Sequence, residues 1–459
     1  MSERIVGITV MPEYFQTEGV ERVLDNLQQA GCNAFATSPY VMEPATEKTG
    51  NREPPIDAGA GAVRLLDRPL WGKRELFVAT APSYSFHGEL YRGLKYQPTA
   101  ASELTRKEGA VVERVIRSAK ARRMTVYLQV QAAIPPGYRV QFGGPADEDR
   151  PRLPDGRLAP RRLANNGSLA SGHILEYTAA LLRDLLRAYP EVDGLRVDWP
   201  EYPPYFLHDC FFDFSEPARA MAGLLGMDFE GMRREAQAHW DLLHGGLTDK
   251  KLEELAARKP GGLAELPWVK FKQVLVTVLM QKLRGAMDTE AGGKAKQLVP
   301  GVFPPPWSFI SGMDYRRVAL YASSISVKLY TMHWPVMLRF YADELKAANP
   351  GLSDGALARS LERVLGLRDE GALRLEEYRY PEPDEAHAAG EKRMRERIEF
   401  ARKQAGRTPV YAIAHGYGPV EDFRRRFRVA ARSSPHGVWV NRYGYLSDAK
   451  LAAMKEILG

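Results

Sequence analysis

Cysteine is nearly absent: the 459 residues hold two, Cys32 and Cys210. Neither belongs to a CxxC pair, so neither a disulfide framework nor a zinc ribbon is suggested. Both thiols are expected to be buried as small hydrophobes. No apolar run approaches the ~20 residues a membrane span needs, and mean hydropathy is −0.36. The opening MSERIVGITV lacks the basic segment and apolar stretch of a secretory leader. The expectation is a cytoplasmic protein with no membrane partner. No GxGxxG follows the first strand-like run, which argues against a dinucleotide site. HxH and HExxH are missing, as are internal repeats and low-complexity linkers.

What charge there is does not form a patch. The net charge is +7 and the pI about 9.1. The basic residues are spread through stretches such as RKEGAVVERVIRSAKARR and EDFRRRFRVAARSS, with acids mixed in, as on solvated helix faces. A nucleic-acid partner, which a clustered patch would suggest, is not expected. Oligomeric state cannot be read.

Apolar residues make up 44%, enough for a large core. They fall into strand-like and helix-like runs that alternate along the whole chain. The strand-like runs are RIVGITVMPE, NAFATSP, MTVYLQVQAA, VDGLRVDWP, KQLVPGVF, ISVKLYTMHW, TPVYAIAHGYG and HGVWVNRYGY. Helical spacing lies between them, as in EGVERVLDNLQQAGC, with Gly31 placed as a C-cap, and in DYRRVALYASS. Eight strands, each followed by a helix, predict an α/β fold: a single (β/α)8 barrel over residues 1–459. The spare length follows particular strands, at about 39–100, 135–171, 202–267 and 335–407. Those connections lie on the C-terminal face, where such barrels carry their sites. The insertions should therefore wall one cleft.

The strand ends should then carry the chemistry. In order they offer Glu13; Ser38 and Tyr40; Gln129 and Gln131; Asp198, Trp199 and Glu201; Trp307; His333 and Trp334; His415 and Tyr417; and Asn441, Arg442 and Tyr443. The set is polar, aromatic and acidic, whereas the preceding strand interiors are Val, Ile, Leu and Ala. Trp199, Trp307 and Trp334 at equivalent positions suit a sugar, whose C–H faces pack on flat rings. A single ring of this kind could equally cap a barrel core.

Asp198 and Glu201 form the best carboxylate pair. Pro200 biases Trp199 towards an extended conformation, which would hold the two acids on a stiff turn. Two acids about a glycosidic bond can serve as proton donor and as nucleophile or base. Arg196 shares the strand face of Asp198, and a guanidinium there would keep the aspartate ionised. Glu201, or failing that Glu13, would be the acid. The bland reading makes Asp198 a loop cap and Glu201 a surface ion-pair member. His333 and His415 could bind hydroxyls or shuttle protons. In a competing use, Glu13, Asp198, Glu201, His333 and His415 would be ligands of a divalent metal.

The stretch DGLRVDWPEYP resembles the fourth-strand segment of the α-amylase and α-galactosidase-like glycoside hydrolases. The resemblance implies that Asp198 is the nucleophile and Arg196 its partner. It covers about a dozen residues. The fifth strand lacks that family's acid glutamate and the seventh its aspartate. The whole chain looks like loosely characterised bacterial glycosyl hydrolase barrels, which implies a barrel and a carbohydrate substrate. The expected function is hydrolysis of a small saccharide or glycoside without a cofactor. The alternatives are a metal-dependent sugar isomerase, epimerase or lyase, and a non-catalytic carbohydrate-binding barrel.

Overall fold

The computed structural model describes residues 4–55, 64–139, 143–292 and 294–459. The chain opens with β1 (Ile5–Thr9) and β2 (Ala34–Thr37). Three strands of a small antiparallel sheet follow: β3 (Tyr40–Ala45), β4 (Asn51–Glu53) and β5 (Leu76–Pro82). Next come β6 (Thr125–Gln131), β7 (Gly194–Asp198), β8 (Gln297–Val302), β9 (Ile325–Leu329), β10 (Val410–His415) and β11 (Gly437–Asn441). The eight strands outside the small sheet are parallel and close on themselves in the order β1-β11-β10-β9-β8-β7-β6-β2. The last seam pairs Ile5 with Gly437 through to Thr9 with Asn441. The fold is a (β/α)8 barrel.

The two faces of each strand explain the closure. Val6, Ile8, Phe35, Val126, Leu195, Val197, Val327 and Val438 belong to the large core between strands and helices. The alternate residues, Ala34, Ala36, Tyr127, Val299, Tyr411, Ile413 and Trp439, form a separate cluster inside the barrel. A period of two along each strand produces this split. The apolar runs therefore pack mainly outwards. The inner face is not uniformly aliphatic: on the same parity it carries Gln129, Arg196 and Lys328, the last two buried. Room for the large inner rings comes from glycine. A Cβ at Gly7 would stand 2.5 Å from the Trp439 ring.

Helices begin where the sequence signals them. The Ser171 side chain accepts the Ile174 N–H to cap helix Gly172–Ala188, and Ser447 caps Asp448–Leu458 in the same way. Gly31, with φ +83°, turns the chain after helix Val20–Gln29. DYRRVALYASS holds only one helical turn, Tyr315–Val318, before the chain drops into β9. The stretch after β9 forms helices His333–Ala348, Asp354–Leu365 and Glu391–Ala405. It packs into the same core as the barrel. Cys32 is buried and Cys210 half-buried.

Candidate active site

Register brings the central pair together. Asp198 at the end of β7 lies beside Gln131 of β6 and Gly301 of β8. Gly301 pairs in turn with Ser326, two residues before Lys328 on the same strand face. Asp198 and Lys328 thus meet across a residue with no side chain and form an ion pair. A Cβ at position 301 would stand 2.8 Å from Asp198 Oδ1 and 3.5 Å from Lys328 Cε. The ammonium lies 5.0 Å from the Trp199 ring, 5.5 Å from Phe303 and 6.0 Å from Tyr330. Burial pushes the Lys328 amine below its usual range, and the Asp198 charge opposes that shift. The Lys328 side chain is 3% exposed and that of Asp198 16%. The carboxylate is the member of the pair that faces outward.

Arg196 is therefore not the ion-pair partner of Asp198. Two residues along a strand span ~6.6 Å, and the guanidinium stays a layer deeper. Its Nη1 is 3.5 Å from Thr9 Oγ1, and it lies 4.1 Å from the Trp439 ring. Trp199 also departs from expectation. Its φ is +52° rather than extended. Its N–H still reaches the Gly301 carbonyl at 3.2 Å, and the chain then turns sharply. The indole packs edge-on to Tyr205 at 5.9 Å. A non-glycine residue in this region costs ~1–3 kcal/mol and persists only where packing enforces it.

Glu201 is fully buried. Its Oε1 accepts the Phe303 N–H at 2.6 Å and its Oε2 accepts the Ser311 hydroxyl. Its carbonyl takes the Asn166 amide at 3.1 Å. Both carboxylate oxygens thus fasten the exit loop of β7 to that of β8. Burial raises its pKa to about 7.

Glu13, near the start of helix Pro12–Thr17 after β1, is also fully buried. Neither of its carboxylate oxygens has a hydrogen-bond partner among the described residues. Beside it, Glu53 receives Arg139 at 2.6 Å and also Arg442. Burial first, and the Glu53 charge second, raise the Glu13 pKa to about 7 against the pull of the two arginines. Gln131 Oε1 and Trp199 Nε1 are likewise buried without hydrogen-bond partners among the described residues.

Rings line the β9–β11 side. His415 ends β10 next to Asn441 of β11. Its Nδ1 accepts the Tyr417 N–H at 3.1 Å, so a neutral ring carries its proton on Nε2. The imidazole packs 5.1 Å from Tyr330 and 5.4 Å from Tyr445. His333 Nδ1 lies 3.2 Å from the Tyr205 hydroxyl, and its ring packs 6.1 Å from Tyr380. Tyr417 packs 5.4 Å from Tyr380 and donates to the Pro381 carbonyl at 2.8 Å.

Several expected residues lie elsewhere. β9 ends at Leu329, and His333 and Trp334 open a helix instead of ending a strand. Trp307 and Trp334, 0% and 2% exposed, hold the Arg397 guanidinium at 5.0 and 3.8 Å. Their faces are covered by the insertion after β9, so of the three tryptophans only Trp199 stands at the mouth. Tyr443 turns outward, where its hydroxyl meets Asn26 at 2.7 Å and Glu18 at 2.8 Å. The five residues of the metal alternative are not gathered as ligands. Among the described residues no three His, Cys, Asp or Glu side chains could hold an ion together.

Sequence reasoning missed Lys328, Gly301, Glu53 and Arg139. For Lys328 a signal existed: a lone charge inside the apolar run ISVKLYT must find a buried partner. Glu53 and Arg139 sit in insertions, where no periodicity marks them.

No family model and no curated protein matches this chain. Solved structures do resemble it in fold, glycoside hydrolases among them. The PgaB (BpsB) glycoside hydrolase domain from Bordetella bronchiseptica is 13% identical, with a TM-score of 0.43, over 94% of this chain and 98% of that one. A class V chitinase from Pseudomonas fluorescens Pf-5 is 10% identical, with a TM-score of 0.44, over all of both chains. The catalytic domain of a β-amylase from Paenibacillus polymyxa is 10% identical, with a TM-score of 0.49, over 99% and 97%. Among the described residues no helix is long and apolar enough to cross a membrane.

Proposed function

We propose that this barrel hydrolyses a small saccharide or glycoside at its mouth. The observation that carries the reading is Asp198: a partly exposed carboxylate tied to one ammonium and set among aromatic rings. Around the mouth, Glu13 and Gln131 Oε1 need donors and Trp199 Nε1 needs an acceptor. A sugar hydroxyl both donates and accepts, and sugar C–H faces suit the rings of Trp199 and Tyr330. Gln131, His333, His415, Tyr417 and Asn441 are the proposed hydroxyl contacts.

In this reading Asp198 attacks the anomeric carbon or activates water, and Lys328 positions it and balances its charge. Glu13 is the acid. At a pKa of about 7 it retains a proton near neutrality, and its oxygens are not engaged within the described residues. Glu201, with both oxygens engaged, is a fastener. Separation of the two acting carboxyls decides the outcome: ~5 Å implies retention and ~6.5–9.5 Å inversion. The reading invokes no cofactor.

The test is a panel of aryl glycosides and disaccharides, assayed with wild type and Asp198→Asn, with and without a chelator. Turnover of one substrate class that is lost in the variant and indifferent to the chelator is expected. Activity that vanished with chelator and returned with a divalent cation would replace this reading with the metal-dependent one. Calorimetric sugar binding with no turnover would leave a binding barrel.

A further inference from the structure

Three segments distant in sequence meet outside the mouth. They are the turn Leu207–Phe211 after β7, the end of helix Phe229–Leu243, and helix His333–Ala348. Glu344 joins them. Its Oε2 is 2.9 Å from His208 Nδ1 and its Oε1 is 3.0 Å from His244 Nε2. The remaining ring nitrogens are also engaged. His208 Nε2 is 2.8 Å from the Arg161 carbonyl, and His244 Nδ1 is 2.9 Å from the Trp240 carbonyl. Carbonyls and ionised carboxylates only accept. Burial works against ionising Glu344, yet the two histidines bring it down to about 2. Four acceptors therefore surround two rings. A neutral imidazole has one N–H, so all four bonds form only when each ring is an imidazolium.

We infer that His208, Glu344 and His244 form a proton-operated clasp, closed while both rings carry two protons and released when either loses one. The clasp secures the β7 exit loop to the helix after β9. Tyr205, three residues before His208, meets His333 inside the mouth at 3.2 Å, and His333 and Glu344 lie on one helix. Between these two ties, Phe206 packs 4.8 Å from Phe340 beside a groove of about 640 Å³.

The charges facing the clasp are few. Asp209 lies 3.9 Å from His208 and 3.6 Å from Arg162. The Arg161 guanidinium lies 4.0 Å from the Phe206 ring. Asp343 is occupied by Arg339 at 2.6 Å, Arg157 by Asp155 at 2.6 Å, and Lys272 by the Cys210 carbonyl at 2.9 Å. Burial opposes the charged His208 ring, but Glu344 and Asp209 hold it above its ordinary value. A raised histidine stabilises the closed form fully below ~6.5, and that contribution is lost as pH rises through the raised value.

The test uses the full chain with ¹⁵N-labelled histidine. Ring-nitrogen shifts are followed from pH 5 to 9, together with deuterium uptake in residues 204–211 and 240–248, normalised to intrinsic exchange. The His208 ring should be doubly protonated at pH 6.5. Above the midpoint, protection of the two segments should fall by up to about tenfold per pH unit while the barrel strands hold. Glu344→Gln should lower the His208 midpoint and flatten the uptake profile. A neutral His208 ring at pH 6, or uptake in these segments independent of pH in the wild-type protein, overturns the clasp.

Discussion

The barrel mouth has two charged sides built on different rules. On the β1–β11 side, Glu53 is 1% exposed and receives two guanidinium groups, Arg139 and Arg442. On the β7–β9 side, Asp198 is partly exposed and receives one ammonium, with aromatic rings in place of further partners. Buried charges are tolerated where they are paired and hydrogen-bonded. Glu53 meets that condition from within the protein. Asp198 meets it only in part and leaves lone pairs for something outside. One side is fastened and the other is available.

The sharpest way to break the comparison is to neutralise one carboxylate on each side. Asp198→Asn should lower kcat by ~10²–10⁴-fold, the scale of a lost acid–base or nucleophilic group. Its chemical-denaturation midpoint should fall as well, because the buried Lys328 ammonium loses its partner, but by less than a change that strands two cations. Glu53→Gln should show the reverse emphasis. It strands two buried cations, which costs ~3–5 kcal/mol, read as a lower denaturation midpoint. Glu13 would then be drawn towards ionisation, because the neighbouring charge that helps raise its pKa has gone. Equal stability losses in the two variants would erase the distinction between the sides.

A third substitution sharpens it. Gly301→Ala places a methyl 2.8 Å from Asp198 Oδ1, closer than packed carbon and oxygen atoms approach. Either Asp198 or Lys328 must move. Overpacking of this size costs ~1–3 kcal/mol, and kcat/KM should fall by about tenfold. Full activity would mean that the ion pair across residue 301 does not position Asp198.

The two sides were not equally legible in the sequence. Asp198 could be found because it ends an alternating run, and an alternating run fixes both strand and face. The same parity, carried across the paired strands, selects Lys328, but only once the register is known. Glu53 and Arg139 reach the mouth from insertions after the second and third barrel strands, where no repeat constrains position. The tryptophans misled for a related reason. Trp307 and Trp334 follow strand-like runs, but the insertion after β9 folds over them and supplies Arg397. Trp199 directly follows β7, but with φ +52° instead of an extended backbone. A local steric preference before proline gave way to the packing of its ring.

The smallest expected effect concerns Glu201, three residues beyond Asp198 and on the fastened side of the rule. Burial lifts its pKa to about 7, against ~4.3 in an unfolded chain. The folded state therefore holds this proton more tightly. The stabilisation is complete below ~4.3 and is lost as pH rises through about 7. Glutamine keeps the shape: its oxygen can accept the Phe303 N–H and its amide can donate to Ser311. Glu201→Gln has no proton to lose, so any stability deficit against wild type at pH 5 should shrink by ~1–2 kcal/mol by pH 8, measured by urea denaturation at both values. The hydrogen bonds from Phe303 and Ser311 favour the charged form and hold the rise caused by burial to about 7. Activity should stay within a few-fold of wild type. A loss of turnover as deep as that of Asp198→Asn, at unchanged stability, would make Glu201 the acid and return Glu13 to a structural part.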